Sequence, residues 1–267
     1  MLLPLPEPYD FELSTERFRA FGPDRANLWH EGALHRVVGG REVRIAAAPG
    51  GVDVEPLDAA TRPAVEKLLG LELALAPFYA RAAADPVLAR LVRRLAGFRP
   101  PLVPDPFEAL VTSVTAQQVS LRAAFAIRTR LVEAFGERGE LAYAFPTRER
   151  LAAARPEQLV ALGFSRRKAE CVVGLARSDL DLDGLAALDD DRVRERITAL
   201  RGLGPWTAEW FLARHLARPR AWPAGDLGLR KAAEVLYGLD VHELGRRLDP
   251  FQNLAAHYLL AGMRVAA

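Results

Sequence analysis

The stretch Ile197–Ala232, ITALRGLGPWTAEWFLARHLARPRAWPAGDLGLRKA, decides how this chain is read. It sets a helix, the tight turn Arg201-Gly202-Leu203-Gly204, a second helix whose first turn Pro205 can occupy, and Asp226 at the head of a third helix. The two glycines let the turn bend and let a ligand approach its backbone, and the helix that follows offers unpaired N–H groups and its positive end to an anion. Such a turn is a phosphate clamp, and because it needs no base contact it would hold a DNA backbone of any sequence. The candidate backbone-binding residues are Arg201, Gly202, Leu203, Gly204 and Thr207.

From about Thr61 to the C-terminus, apolar residues recur every three or four positions. Helix starts are visible at Asp105-Pro106, Ser120, Thr147, Arg155-Pro156, Ser165, Asp189 and Asp249-Pro250. This predicts roughly ten helices joined by short loops. The N-terminal part reads differently. LWHEGALHRVV (28–38) closes at Gly39-Gly40, REVRIAAA (41–48) closes at Pro49-Gly50-Gly51, and VDVEPL follows, a meander that predicts an antiparallel sheet. STERFRAFG, from Ser14, supplies one short helix against it. The fold class is therefore α+β, with an antiparallel β-sheet and a short helix in residues 1–85 followed by an all-α body in residues 86–267.

Half of the 267 residues are hydrophobic, enough for an ordinary globular core. No apolar run reaches the ~20 residues of a spanning helix, and MLLPLPEPYD lacks a signal peptide's basic flank, so a cytoplasmic protein without membrane association is expected. The single cysteine, Cys171, excludes a disulfide framework and a thiolate metal or iron–sulfur site. Charge is uneven. Residues 1–85 hold 9 Lys and Arg against 13 Asp and Glu, whereas the remainder hold 27 against 21, an excess suited to a phosphate-binding surface. Only Lys67, Lys168 and Lys231 are lysines.

Asp226, ahead of an apolar helix, reads first as an N-cap, and Asn caps about equally well, so Asp226→Asn is expected to preserve the helix start while removing the charge. Trp206 and Trp210, four residues apart, share one helix face. Gln117 and Gln118 fall at an exposed junction between two helices, and Trp29 and Trp222 read as packing residues.

The block LRGLGPWTAEWF, followed twenty residues after Trp206 by the Asp of AGDLGLRKA, resembles the signature of the helix-hairpin-helix DNA glycosylases, nearest to the bacterial 3-methyladenine glycosylase II branch. PYDFELS, FEALVTSVTAQQVS and LDPFQNLAAHYLL extend the resemblance over nearly the whole chain. It implies two helical subdomains flanking an active-site cleft. It also implies a monomer that extrudes a damaged base from double-stranded DNA and hydrolyses its N-glycosidic bond in base-excision repair, working beside the nucleoid. Asp226 would be the catalytic carboxylate that stabilises an oxocarbenium-like sugar. Trp206, Trp210, Leu227 and Phe251 would line the base pocket, with Leu227 standing where some members carry an aromatic. Gln118, with Gln117 beside it, would be the wedge that fills the vacated stack. Bifunctional members carry a nucleophilic lysine where this chain has Trp206, so a monofunctional enzyme is expected. No cofactor is expected, and the hairpin is a candidate position for a monovalent cation. Glycosylases for deaminated or oxidised bases, and a non-catalytic DNA-binding module, remain as alternatives.

Overall fold

The computed structural model describes residues 1–265, so the last two residues of the expected all-α region lie outside it. Its sheet has the strands β1 (Leu2–Pro4), β2 (Leu28–His30), β3 (Ala33–Val38), β4 (Arg41–Ala48) and β5 (Gly51–Glu55). The order is β1-β5-β4-β3-β2 and every pair is antiparallel. The run 28–38 is not one strand. Glu31 and Gly32 both take positive φ, 46° and 76°, and turn it into a two-residue hairpin. The edge strand β1 was not expected, since three residues are too few to show an alternation. It buries Leu3 opposite Val52. The single short helix of STERFRAFG is instead two, Phe11–Thr15 and Arg17–Ala20, because Asp10 starts the first early by accepting from Leu13 N at 2.8 Å.

Thirteen α-helices follow among the described residues. Asp105, Ser120, Thr147, Ser165 and Asp189 each accept the backbone N–H three residues on, so these five caps form as read, while the last helix starts at Gln252 and not directly after Asp249-Pro250. The helices build two cores. One joins helices between Pro106 and Arg214 around Leu110, Leu131, Val172 and Phe211. The other joins Leu75–Ala82 and Pro86–Arg94 to Leu227–Tyr237, Val241–Arg247 and Gln252–Val265. Residues 73–82 thus pack with the C-terminal helices, ahead of the expected boundary at residue 85, while the buried sheet core runs to Leu69 with Leu71 packed against it.

What fastens the sheet to the helices is charged and buried. Arg36 of β3 donates to Glu108 on the helix Pro106–Ala116. Arg128, on Leu121–Phe135, donates to the same carboxylate at 2.6 Å and to both Asp24 oxygens at 3.2 Å. Asn27 closes the ring, accepting from Arg36 at 2.6 Å and donating to Asp24 at 3.0 Å. All five side chains are buried. Burial by itself would raise the Glu108 carboxyl, but Arg36 and Arg128 outweigh it and hold it down at about 2.

Glu108→Gln would leave two guanidinium groups short of their counter-charge, and a loss of about 3–5 kcal/mol is expected in urea denaturation at pH 7. A depressed carboxyl contributes stability above its unfolded value and loses it as pH falls through the folded one. Stability of the native chain should therefore fall between pH 4.5 and about 2 more steeply than that of the Gln variant. Parallel pH profiles for the two chains would remove Glu108 from this role.

Candidate active site

A cleft of about 1310 Å³ opens where the two helical cores meet, and the N-terminal helices supply one wall through Leu13, Ser14, Arg17 and Phe21. Asp226 stands in it as the N-cap of Leu227–Tyr237. One carboxylate oxygen accepts from Gly228 N at 2.9 Å and Leu229 N at 3.1 Å; the other accepts the indole N–H groups of Trp206 and Trp210, both at 3.1 Å. Four donors converge on a group that can only accept. The segment delivering Asp226 is itself pinned. Glu209 accepts Trp222 N at 2.8 Å and Arg194 at 2.6 Å, Arg218 donates to the carbonyls of Ala186 and Leu188, and Asn253 N donates to Pro219 O.

This cradle corrects three expectations. Trp210 lines the cleft but is only 2% exposed, with the Arg214 guanidinium 3.8 Å above its ring and His257 at its edge, so it offers little open face to a base. It orients Asp226 instead. Trp206 is part-exposed, lines the cleft and does have a free surface, with Gly225 packed against it. Phe251 is not a cleft residue; it packs on Phe78 in the second helical core. Asn at position 226 would keep the cap but turn an NH₂ toward two indole N–H groups, so it is not the neutral substitution the capping preference suggests. Leu227 does line the cleft, 79% exposed at its rim. Trp29 and Trp222 are packing residues. The first lies against Phe11 under Arg19, and the second donates to Val241 O with Gly245 beneath its ring.

In the hairpin the two glycines serve different ends. Gly202 has φ +92°, and a Cβ there would sit 2.8 Å from Cys171 Sγ, so the fold requires it. Gly204 has extended backbone and open space where a side chain would be. Leu203 and Thr207 are buried, so neither side chain can meet DNA. Leu203 anchors the turn in the core, and Thr207 accepts from Gln117 Nε2 at 3.3 Å. Gln117 also donates to Gly202 O at 3.2 Å, which removes it from the wedge and makes it the brace between hairpin and cleft. Gln118 is exposed at the cleft mouth with φ +53°, and Val119 and Leu121 beside it are exposed apolar side chains. Arg201 is exposed.

Sequence reading missed a basic group in the cleft: Arg17, Arg214 and Arg264, together with His257. Burial pushes Arg17 down to about 10, with Arg264 adding to it. His257 lies well below its usual range through burial and the repulsion of Arg214, Arg17 and Arg264, so it is neutral at pH 7. Arg214 had a signal, since it extends the spacing of Trp206 and Trp210 by one more turn. Arg17 had none, because it arrives from the N-terminal helices.

The two glycines separate by experiment. Gly202→Ala should lower the thermal midpoint, because it must strain the backbone and displace Cys171. Gly204→Ala should melt like the native chain yet bind undamaged duplex several-fold more weakly, as its new methyl group occupies the space before the helix N-terminus. Native affinity in Gly204→Ala would take this turn out of the DNA interface.

Residues 111–247 match the family profile described as HhH-GPD superfamily base excision DNA repair protein. The chain is 31% identical over 210 residues to the DNA-3-methyladenine glycosylase of Bacillus subtilis (strain 168), an alignment covering 73% of this chain and 69% of that protein. It is 33% identical over 147 residues to DNA-3-methyladenine glycosylase 2 of Escherichia coli (strain K12), covering 53% of this chain and 50% of that protein. Among solved structures, the 3-methyladenine DNA-glycosylase from Archaeoglobus fulgidus is similar with a TM-score of 0.89 at 28% identity, over 99% of this chain and 98% of that one. With its hairpin, its cleft and the carboxylate between two helical cores, the chain belongs to the HhH-GPD superfamily of base excision DNA repair proteins.

Proposed function

We infer that this protein is a monofunctional DNA glycosylase that hydrolyses the N-glycosidic bond of alkylated purines, of the 3-methyladenine and 7-methylguanine type, after the damaged nucleotide leaves the duplex. The observation that carries this reading is the Asp226 carboxylate, fixed by four N–H donors in a cleft large enough for an extruded nucleotide. The relatives named above as 3-methyladenine glycosylases supply the substrate class.

The chemistry follows from charge. As the C–N bond breaks, its electron pair leaves with the base and the sugar becomes cationic. A carboxylate already held in place stabilises that cation without reorganising, and water then supplies the new C–O bond. A purine alkylated on a ring nitrogen leaves as a neutral base, and the free face of Trp206 attracts its electron-poor ring. The hairpin N–H groups hold the backbone, and Gln118 at the cleft mouth fills the vacated stack. Nucleophilic lysine chemistry is disfavoured because Trp206 occupies the position after the hairpin. Of the two lysines lining the cleft, Lys168 is engaged with Thr115 O at 3.0 Å. The carbonyls of Ile197, Leu200 and Gly202 already accept from Leu200 N, Leu203 N and Gln117, which supports a turn closed by its own bonds.

The test is release of 7-methylguanine from methylated duplex under single-turnover conditions. The native chain should release the base and leave an abasic strand that breaks only with alkali or heat, with no borohydride-trapped covalent complex. Asp226→Asn should slow release by about 10²-fold or more, with duplex binding retained and a stability cost of about 1–3 kcal/mol from the opposed N–H donors. Efficient borohydride trapping would overturn the monofunctional assignment, and near-native release by the folded Asn variant would reduce Asp226 to a cap.

A further inference from the structure

Among the described residues lining the cleft, Asp226 is the one carboxylate, against seven arginine and lysine side chains. Some of these cations are committed elsewhere: Arg128 to Glu108 and Asp24, Lys168 to a carbonyl. Arg17 is not. Its guanidinium makes no hydrogen bond or ion pair among the described residues. It stands with Arg214 and Arg264, and the buried Nε atoms of both, together with His257 Nε2, also lack a partner. His257 is only 7% exposed. Crowding like charges with unsatisfied donors costs stability unless something in the cleft accepts their hydrogen bonds.

The indole of Trp210 separates the two signs of charge. Its N–H edge holds Asp226 at 3.1 Å, while its face carries Arg214 at 3.8 Å. The cleft is thereby polarised, with its negative end at the group assigned to the sugar and its positive end beside the face of the Trp210 ring.

We propose that Arg17 contacts the extruded base and, donating to its carbonyl or ring-nitrogen acceptors, stabilises the negative charge of a neutral purine as it departs. This rests on the glycosylase reading and extends it to lesions that carry no positive charge of their own. When a neutral purine is cleaved, the C–N electron pair makes the base an anion, the water oxygen bonds to the sugar carbon, and a proton released from that water ends on the base. When a cationic purine is cleaved, the base leaves neutral and the proton goes to solvent. Only the first case develops a negative charge for Arg17 to stabilise, so the residue acts on the transition state for one substrate and not the other.

The experiment compares Arg17→Gln, Arg17→Lys and the native chain on two duplexes, one containing hypoxanthine as the neutral base and one containing 7-methylguanine as the cationic base. Arg17→Gln should slow hypoxanthine release by about 10–100-fold, at least tenfold more than it changes 7-methylguanine release, with Arg17→Lys recovering part of the loss. An equal fall on both duplexes, no fall on either, or a native chain that releases 7-methylguanine but never hypoxanthine overturns the proposal while leaving the glycosylase reading standing. Release of neither base by the native chain sinks that reading. Arg17 is then judged by binding alone: Arg17→Gln must abolish any preference for hypoxanthine duplex over undamaged duplex, and an unchanged or absent preference overturns the proposal.

Discussion

A single carboxylate joins the two helical cores across the cleft. Trp206 and Trp210 belong to the helix that follows the hairpin, in the first core, while Gly228 and Leu229 open a helix of the second, and all four donate to Asp226. The separation of hairpin and cleft floor is therefore fixed by side-chain hydrogen bonds at the point where the chemistry is assigned. A group held this way cannot be changed by one atom without setting donors against donors, which is why capping preference alone misjudges this position.

The sheet is the third support. Its buried ring of Arg36, Glu108, Arg128, Asp24 and Asn27 bonds it to two helices of the first core, and the short helices ahead of β2 then bring Arg17 to the cleft wall. Buried ion pairs seldom add net stability over an apolar contact of the same size, but they are demanding about geometry, since a shift of any member leaves a charge unpaired. An apolar interface could slide by a fraction of a side chain. This one sets the sheet in a single position, and with it the place of Arg17.

The local rules of the chain were legible and the distant ones were not. Caps at Asp105, Ser120, Thr147, Ser165 and Asp189 announce themselves because the cap and the N–H it satisfies lie three residues apart. The hairpin turn and the Asp226 cap are legible for the same reason, each being a short pattern, whereas the catalytic assignment of Asp226 rests on the family resemblance. The burial of Trp210, the turning of Gln117 toward Gly202 and the withdrawal of Phe251 into a core all depend on partners 16 to 173 residues away, and no periodicity reports them. The strand boundary at Glu31-Gly32 failed differently: a glycine was visible there, but an apolar run on both sides outweighed it.

Charge distribution inside the cleft was the least legible feature, because net charge along the chain says nothing about which cations lack partners. Residues 1–85 are acidic overall, yet the arginine they contribute to the cleft makes no ion pair among the described residues, while acidic neighbours such as Asp24 are consumed in the buried ring. The consequence is chemical. Breaking a glycosidic bond separates charge, and a cleft that holds one carboxylate and a cluster of arginines among its described lining residues can stabilise both products of that separation when the cations face the base. A positively charged purine leaves neutral and needs only the carboxylate, whereas a neutral purine needs both ends. The balance between Asp226 and Arg17 therefore sets how far the substrate range extends beyond cationic lesions.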